Sequence, residues 1–202
     1  MAQRLKTNMT SIERTGTIIA ICVAFFLAMV LEKTVIFFLP TFVVQHLRWQ
    51  KNQGSYIMSA FWGAFAFGRL LGVVISKRFK LRHILGSYLL ALVLVSVGLL
   101  VTSLLKASLG IWIFIPSLGF FQSTLFPSLM TWTEVEFFKV SGRLVSLFMV
   151  CGTVGSILNP ITLGYLIELY SAMWFCYTLV TFSLVMFVVY LVLLYLSRKI
   201  KP

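Results

Sequence analysis

Charged residues are scarce in this sequence, and acidic residues are scarcer still. Of its 202 residues 11% are charged, and only five of these are Asp or Glu. A soluble domain usually carries about a quarter charged residues. Hydrophobic residues make up 60% of the chain, and a chain of this length cannot hide that much apolar surface in one core. A soluble globular fold is therefore excluded, and lipid is the solvent that suits the composition.

The residue types that build catalytic and metal sites are also few. The sequence has three cysteines and two histidines, and the cysteines show neither metal-ligand spacing nor a disulfide framework. No phosphate-binding glycine loop and no nucleophile elbow occurs. Glu134 and Glu136 come closest to paired carboxylates, and beside basic residues we interpret them as a solvated loop. The sequence therefore predicts no enzyme, no metal site and no resident cofactor.

What the sequence has instead is a series of six long apolar runs joined by short gaps. The hydrocarbon core of a bilayer is about 30 Å thick, which a helix of roughly 20 apolar residues spans. The alternating ten-residue segments typical of membrane barrels are absent. Helices remain, because each backbone polar group in lipid must bond within its own segment. We predict an all-α polytopic membrane protein with six transmembrane helices, over residues 17–44, 55–76, 84–105, 109–132, 144–166 and 172–196.

The basic residues indicate how these helices are oriented. The net charge of +12 could indicate nucleic-acid binding, but the basic residues sit in the gaps between apolar runs. Since positively charged loops stay in the cytoplasm, we predict that both termini are cytoplasmic, and we expect no nucleic acid as a partner. The predicted domains are a cytoplasmic tail (1–16), a six-helix transmembrane domain (17–196) and a second cytoplasmic tail (197–202). The opposite gaps hold Arg48, Lys51 and Lys106, whereas the predicted cytoplasmic side holds Arg4, Lys6, Arg14, Lys77, Arg78, Lys80, Arg82, Lys139, Arg143, Arg198, Lys199 and Lys201.

Two adjacent charged residues, Glu32 and Lys33, lie inside the first apolar run. A charge at the centre of a membrane helix costs about 2.5–3.5 kcal/mol on insertion scales, so it is a candidate functional residue. At about 1.5 Å per residue, Glu32 lies roughly 22 Å along the helix from Thr17, and neighbours on a helix point about 100° apart. We therefore expect the two not to pair face to face, with Glu32 facing a watery cavity and the Lys33 side chain extending outward to the membrane surface. The alternative is that both sit at a broken helix end near Pro40.

Three further residues are candidates for contact with a solute. Gln122 lies midway in the fourth run, Asn159 precedes a proline that we expect to break the fifth, and Trp62 offers an aromatic face in the second. The alternatives are interhelical hydrogen bonds for the two amides and packing for the indole. Similar proline patches at Pro40 and Pro127 also suggest discontinuous helices, which mark binding sites in transporters built from inverted repeats.

One stretch carries a family resemblance. The run FGRLLG at 67–72, leading to a basic-Phe pair that begins near Lys77, resembles the cytoplasmic-loop motif of the major facilitator superfamily, and more narrowly the eighth helix of its fucose permease branch. The aspartate of the general motif is absent. The stretches 121–128 and 142–164 are similar to the tenth and eleventh helices. Glu32 stands where animal members, including the sodium-dependent glucose transporter type, carry an acidic residue in helix seven.

The resemblance implies the C-terminal six helices of a twelve-helix carrier, arranged as two inverted three-helix repeats. It implies transport of a hexose or related sugar by alternating access, coupled to Na+ or H+ at Glu32 or uncoupled, at the plasma membrane. The missing N-terminal half or a second copy would be the protein partner. The alternative is a truncated, non-transporting membrane protein that binds or regulates a partner transporter. Glu32, Trp62, Gln122 and Asn159 would line the cavity, and the cytoplasmic gate would comprise Gly68, Arg69, Gly72, Lys77, Arg78 and Arg82.

Overall fold

A computed structural model describes residues 11–200 of the chain. These residues form helices and no strand. α4 and α5 lie end to end as one membrane span, so the described part contains six helical stretches that are long and apolar enough to cross a bilayer. Residues 1–10 and 201–202 of the two predicted tails lie outside the described residues. The helices are α1 (Ser11–Gln45), α2 (Lys51–Ser76), α3 (Leu81–Leu104), α4 (Ser108–Gln122), α5 (Leu125–Glu136), α6 (Gly142–Leu169) and α7 (Trp174–Ile200).

The helices are apolar all around, as expected where one face meets the bundle core and the other meets lipid. The mean hydropathy of the six spans lies between 1.5 and 2.6. α3 shows the pattern: Leu85 and Leu89 are buried in the bundle, whereas Leu90 and Leu94 are exposed. The prediction of an all-α, six-span membrane protein is therefore confirmed.

The most extensive helix contacts follow a two-fold scheme, to which the smaller contact of α1 with α2 is an exception. α1 packs on α6 and α7, which are the fifth and sixth spans. α4 packs on α2 and α3, and α3 also packs on α7. This pairing is unchanged when the first three spans are exchanged with the last three. It is the arrangement that two related three-helix units predict.

Glycines set the closest helix contacts in this bundle. A Cβ on Gly155 of α6 would lie 2.8 Å from the Phe26 carbonyl oxygen of α1, and a Cβ on Gly119 of α4 would meet the backbone of Phe61 in α2. Because lipid tails are as apolar as the side chains, helices in a membrane associate through such close packing. The pairs α1–α6 and α2–α4 are thus held by backbone-to-backbone approach.

The proline positions act differently from one span to the next. α1 continues through Pro40 to Gln45, and α6 continues through Pro160. The expected break of the fifth run at Asn159-Pro160 is therefore wrong, and so is the placement of Glu32 at a broken helix end. A proline removes one helical hydrogen bond, which neighbouring bonds and helices can offset in a membrane. The fourth span, by contrast, does break, between Gln122 and Leu125.

Hydrogen bonds and an ion pair join the helices at one end of the bundle, which we call the basic end. It is the end where α1 begins and α7 ends, and it includes the loop 77–80. Lys199 Nζ lies 2.9 Å from Glu13 Oε1 and links α7 to α1. The Ser197 hydroxyl donates to Glu136 Oε2 at 3.1 Å and links α7 to α5. Two of the chain's five acidic residues therefore link helices at this end.

Candidate functional site

Glu32 and Lys33 form an ion pair in the middle of α1. Lys33 Nζ lies 3.4 Å from Glu32 Oε1, and the Glu32 and Lys33 side chains are 18% and 29% exposed. The prediction that these neighbours do not pair is wrong. Their backbone positions point about 100° apart, but the lysine side chain is long enough to reach the neighbouring carboxylate. Unpaired charge away from water is costly, so the pair is the lower-energy arrangement. The Glu32 side chain remains partly exposed at the surface of the bundle.

Gln122 approaches the same part of α1 from α4. The side chain is 5% exposed. Its Nε2 donates to the Leu31 carbonyl oxygen at 3.5 Å, next in the chain to Glu32. Its Oε1 is buried and has no hydrogen-bond partner among residues 11–200. A buried acceptor without a partner costs about 1–3 kcal/mol, so a hydrogen bond from a water or a solute that reached this oxygen would be stabilising.

Asn159, on α6, is the second amide that contacts this part of α1. Its Nδ2 donates to Thr34 Oγ1 at 2.8 Å, and that hydroxyl donates to the Val30 carbonyl oxygen at 2.8 Å. Both Asn159 and Thr34 are buried. The two amides thus flank residues 31–34 of α1 and form, with the charged pair, a polar layer in the middle of the bundle. We call this set (Glu32, Lys33, Thr34, Gln122 and Asn159) the mid-membrane layer.

The Asn159–Thr34 hydrogen bond gives a first prediction. Thr34→Val and Asn159→Leu each remove it, and each is expected to lower the free energy of unfolding by about 1 kcal/mol, the usual scale for such bonds in membranes. The double variant is expected to lose less than the sum, because the bond is lost only once. Denaturant unfolding in detergent micelles measures this. Thr162→Val is the control, since that hydroxyl donates only to α6 carbonyls; strictly additive losses would contradict the assignment.

Trp62 lies apart from this layer, on the outer face of α2. It is 42% exposed, and its ring makes edge contacts with Phe61 and Phe65 at 5.7 and 5.4 Å between centroids. Gly63 beside it is also exposed, with open space where a Cβ would stand. The indole therefore faces away from the described helices.

The glycines of the FGRLLG run pack α2 against the break in the fourth span. A Cβ on Gly68 would meet Ser123 Oγ and would lie 2.7 Å from the Phe120 carbonyl oxygen. A Cβ on Gly72 would meet the methyl group of Thr124. The spacing of four residues places both glycines on one face of α2, so the helix backbone itself contacts the break.

Arg69 binds a carbonyl group at that break. Pro127 lacks a backbone N–H, so it cannot bond the carbonyl four residues earlier, that of Ser123. Arg69 Nε donates to this Ser123 oxygen at 3.4 Å. The guanidinium carbon also lies 4.8 Å from the centre of the Phe65 ring, a cation–π distance. The arginine therefore offsets part of the hydrogen bonding lost at the break.

The remaining residues of the predicted gate lie at the basic end. Lys77 and Arg78 are exposed just after α2. Arg82, on the first turn of α3, is half-buried; its Nε donates to His83 Nε2 at 3.3 Å, and its carbonyl accepts from the Tyr190 hydroxyl at 2.7 Å. The structure thus divides the six residues into three at the helix break and three around the loop.

Sequence reasoning missed Thr34, Ser123 and Thr124. The last two mark the helix break, and they precede Pro127 by four and three residues, where a proline disturbs the helix. That spacing is a signal that could have located the break. Thr34 has no such signal, because a threonine in an apolar helix commonly bonds its own backbone.

The fold defines a class: this is an integral, multi-pass α-helical membrane protein. The sequence profile of the Major Facilitator Superfamily matches residues 21–202. The chain belongs to this superfamily, a family of membrane transporters.

Several curated proteins are similar to parts of the chain. The sodium-dependent glucose transporter 1 of Danio rerio is 29% identical over 131 residues, which is 64% of this chain and 21% of that protein. The TsgA homolog of Buchnera aphidicola is 27% identical over 168 residues, 81% of this chain and 41% of that protein. The human major facilitator superfamily domain-containing protein 4A is 28% identical over 144 residues, 71% of this chain and 27% of that protein. The chain spans less than half the length of these three relatives.

Proposed function

We propose that this chain forms one half of a carrier that moves a hexose or a related sugar across a membrane by alternating access. The observation that carries the proposal is the mid-membrane layer: the Glu32–Lys33 ion pair on α1 adjoins Leu31, whose carbonyl oxygen binds Gln122, the last residue before the break in the fourth span. Polar groups at mid-membrane depth beside a discontinuous helix are typical of transporter binding sites. The similarity to a sodium-dependent glucose transporter supports a sugar as the solute.

The chemistry of the layer suits a sugar. A sugar hydroxyl can donate to Gln122 Oε1 or to the Glu32 carboxylate and can accept from the Lys33 ammonium group. Trp62 would contribute an aromatic face only if a second half turned it into a shared cavity. Glu32 is the proposed coupling site for Na+ or H+, since a carboxylate binds either ion.

The second and fifth spans offer the surface for the other half. Only 22% of the apolar core of each of these spans is buried, against 50% for the first span. Exposed apolar side chains cover both: Phe67 and Leu70 on α2, and Val150 and Ile157 on α6. Lipid alone can cover such faces, and so can the six helices of an N-terminal half or a second copy of this chain. We propose that another half, either an N-terminal half or a second copy, covers them.

Solute uptake tests the proposal. The purified chain, alone and co-reconstituted with the first six helices of the Danio rerio relative, is placed in liposomes with radiolabelled glucose and fucose. We expect saturable uptake in at least one arrangement, and a roughly tenfold or greater loss in Gln122→Leu, because a substrate hydroxyl would lose its acceptor. Thr162→Val is the matched control. Absence of flux in both arrangements, with the chain shown to be folded, would rule out the carrier.

The second candidate is a non-transporting membrane protein that binds a partner transporter. The exposed faces of α2 and α6, on a chain that spans less than half of its relatives, favour this reading over an enzyme. Co-purification with a tagged full-length relative, without flux in either reconstitution, would support it.

We also propose that the protein resides in the plasma membrane with its basic end in the cytoplasm. A membrane-impermeant amine reagent applied to intact cells should modify Lys51 and Lys106, which are exposed at the opposite end of the bundle. Lys77 and Lys80 are also exposed, but they should react only after permeabilisation. Mass spectrometry of the peptides measures the labelling of all four lysines, before and after permeabilisation. The reverse labelling pattern would overturn this orientation.

A further inference from the structure

A groove of about 600 Å³ opens between α2, α5 and the start of α3, on the side of the helix break that faces α2. Its volume lies within the range of small-molecule sites. It is separate from the mid-membrane layer: Gln122 turns toward α1, whereas Thr124 contacts α2. The lining includes Arg69, Ser76, Leu81, Thr124, Ser128 and Thr131.

Among the residues that the structure describes, Arg69 is the one charged residue that lines this groove, and it is exposed. Within residues 11–200, its only hydrogen bond is the long one from Nε to the Ser123 carbonyl oxygen, and the ion pairs of that region involve other residues. The terminal nitrogens of the guanidinium group therefore have no carboxylate partner. A guanidinium offers a planar fork of donors that matches the geometry of a carboxylate or a phosphate.

Thr124 supplies an independent indication of a ligand. The residue is 5% exposed and lines the groove. Within residues 11–200 its hydroxyl oxygen is buried and has no hydrogen-bond partner. The residue stands between α4 and α5, outside the helical repeat in which a threonine bonds a carbonyl of its own helix. A hydroxyl that is left unpaired in a membrane protein indicates a missing polar partner.

The backbone contributes to the same electrostatic preference. Thr124 is the N-cap residue of α5, a helix of 12 residues, and its side chain makes no capping hydrogen bond. The first N–H groups of a helix have no partner within it, and the helix dipole places positive partial charge there. Anions bind at such ends; the last carbonyl groups of α4, which ends at the same break, carry the opposite partial charge and offset part of this attraction. The guanidinium, the hydroxyl and the helix start therefore favour the same kind of ligand.

We propose that this groove is a binding site for an oxyanion, a carboxylate or a phosphate group, held by Arg69 and Thr124 at the start of α5. The site goes beyond the proposed sugar transport, because it requires neither Glu32 nor a second half. Arg69 lies seven residues before the end of α2, or about 10 Å inside the basic end. The oxyanion belongs to a water-soluble ion or to the headgroup of an anionic phospholipid.

Binding of inorganic phosphate to the lipid-depleted full chain tests this site. Equilibrium dialysis with radiolabelled phosphate is run in a nonionic detergent, with chloride holding the ionic strength constant and acetate as a competitor. Wild type and Arg78→Gln, whose side chain lies in the exposed loop, should bind saturably. Arg69→Gln should bind at least tenfold more weakly, with Arg69→Lys in between because the charge remains and the fork is lost. Thr124→Val should weaken binding several-fold while keeping the size of the side chain.

Nanodiscs separate the two sources of the oxyanion. Phosphatidylglycerol is added to phosphatidylcholine discs. If it abolishes phosphate binding, and if wild type retains it while Arg69→Gln does not, the occupant is a lipid headgroup. If phosphate binding persists, the occupant is a soluble anion. Either result supports the site. It is overturned if folded wild type shows neither saturable phosphate or acetate binding nor Arg69-dependent phosphatidylglycerol retention. Equal weakening by Arg78→Gln and Arg69→Gln would also overturn it, since the loop would then account for the attraction.

Discussion

Gly68→Ala is expected to lower the free energy of unfolding by about 1–3 kcal/mol, the usual cost of overpacking a closely packed contact. The added Cβ would meet Ser123 Oγ and would stand 2.7 Å from the Phe120 carbonyl oxygen. The second of these atoms belongs to the backbone, so relief requires α2 and α4 to move apart. That movement would also lengthen the hydrogen bond from Arg69 to the Ser123 carbonyl, already 3.4 Å.

Gly63→Ala in the same helix is the matched control. A Cβ there meets nothing within 4 Å, and alanine favours a helix over glycine by roughly 0.5–1 kcal/mol. We therefore expect that Gly63→Ala leaves the protein unchanged or slightly more stable, while Gly68→Ala destabilises it. Thermal or denaturant unfolding in detergent micelles gives both values. Equal effects of the two substitutions would show that the α2 face at Gly68 is not in close contact with the fourth span.

The membrane spans could be predicted from the sequence because their cause is local. A run of about 20 apolar residues must form a helix in lipid wherever it packs, and the six predicted spans coincide with the six observed. The ends are less well determined: α1 begins at Ser11, before the predicted start at Thr17. The polar residues Glu13 and Thr15 lie in this first part, where helix formation does not depend on apolar side chains.

The side-chain contacts could not be predicted in the same way, because their cause is tertiary. Asn159 was recognised as a candidate, but its partner Thr34 lies 125 residues away in the chain, and nothing in the sequence joins them. Arg69 belongs to a motif that predicts a cytoplasmic gate, but the motif does not predict its observed acceptor, a carbonyl that Pro127 leaves unbonded. Pro127 leaves the carbonyl without its helical partner, and the glycine spacing allows α2 to come close. Only the packing of α2 on α4 brings the two features together.

Glu32→Gln is expected to abolish the ion dependence of sugar uptake, if the chain is half of a coupled carrier. The neutral amide loses the charge that holds Na+ and the site that takes up H+. The single substitution is ambiguous, however, because it also leaves Lys33 without its partner at 3.4 Å. Removing one member of a shielded ion pair is more costly than removing both, so a folding defect could imitate a loss of coupling.

The double variant Glu32→Gln/Lys33→Gln resolves the ambiguity. With neither charge present, we expect the stability to return toward wild type while uptake stays independent of Na+ and H+. Lys33→Gln alone should keep ion dependence, because the carboxylate remains. Uptake into liposomes with and without Na+ and proton gradients, together with unfolding in micelles, measures both properties. Ion dependence that survived in a folded double variant would place the coupling site elsewhere. A double variant as unstable as Glu32→Gln would show that the carboxylate has a structural role which the pairing with Lys33 does not explain.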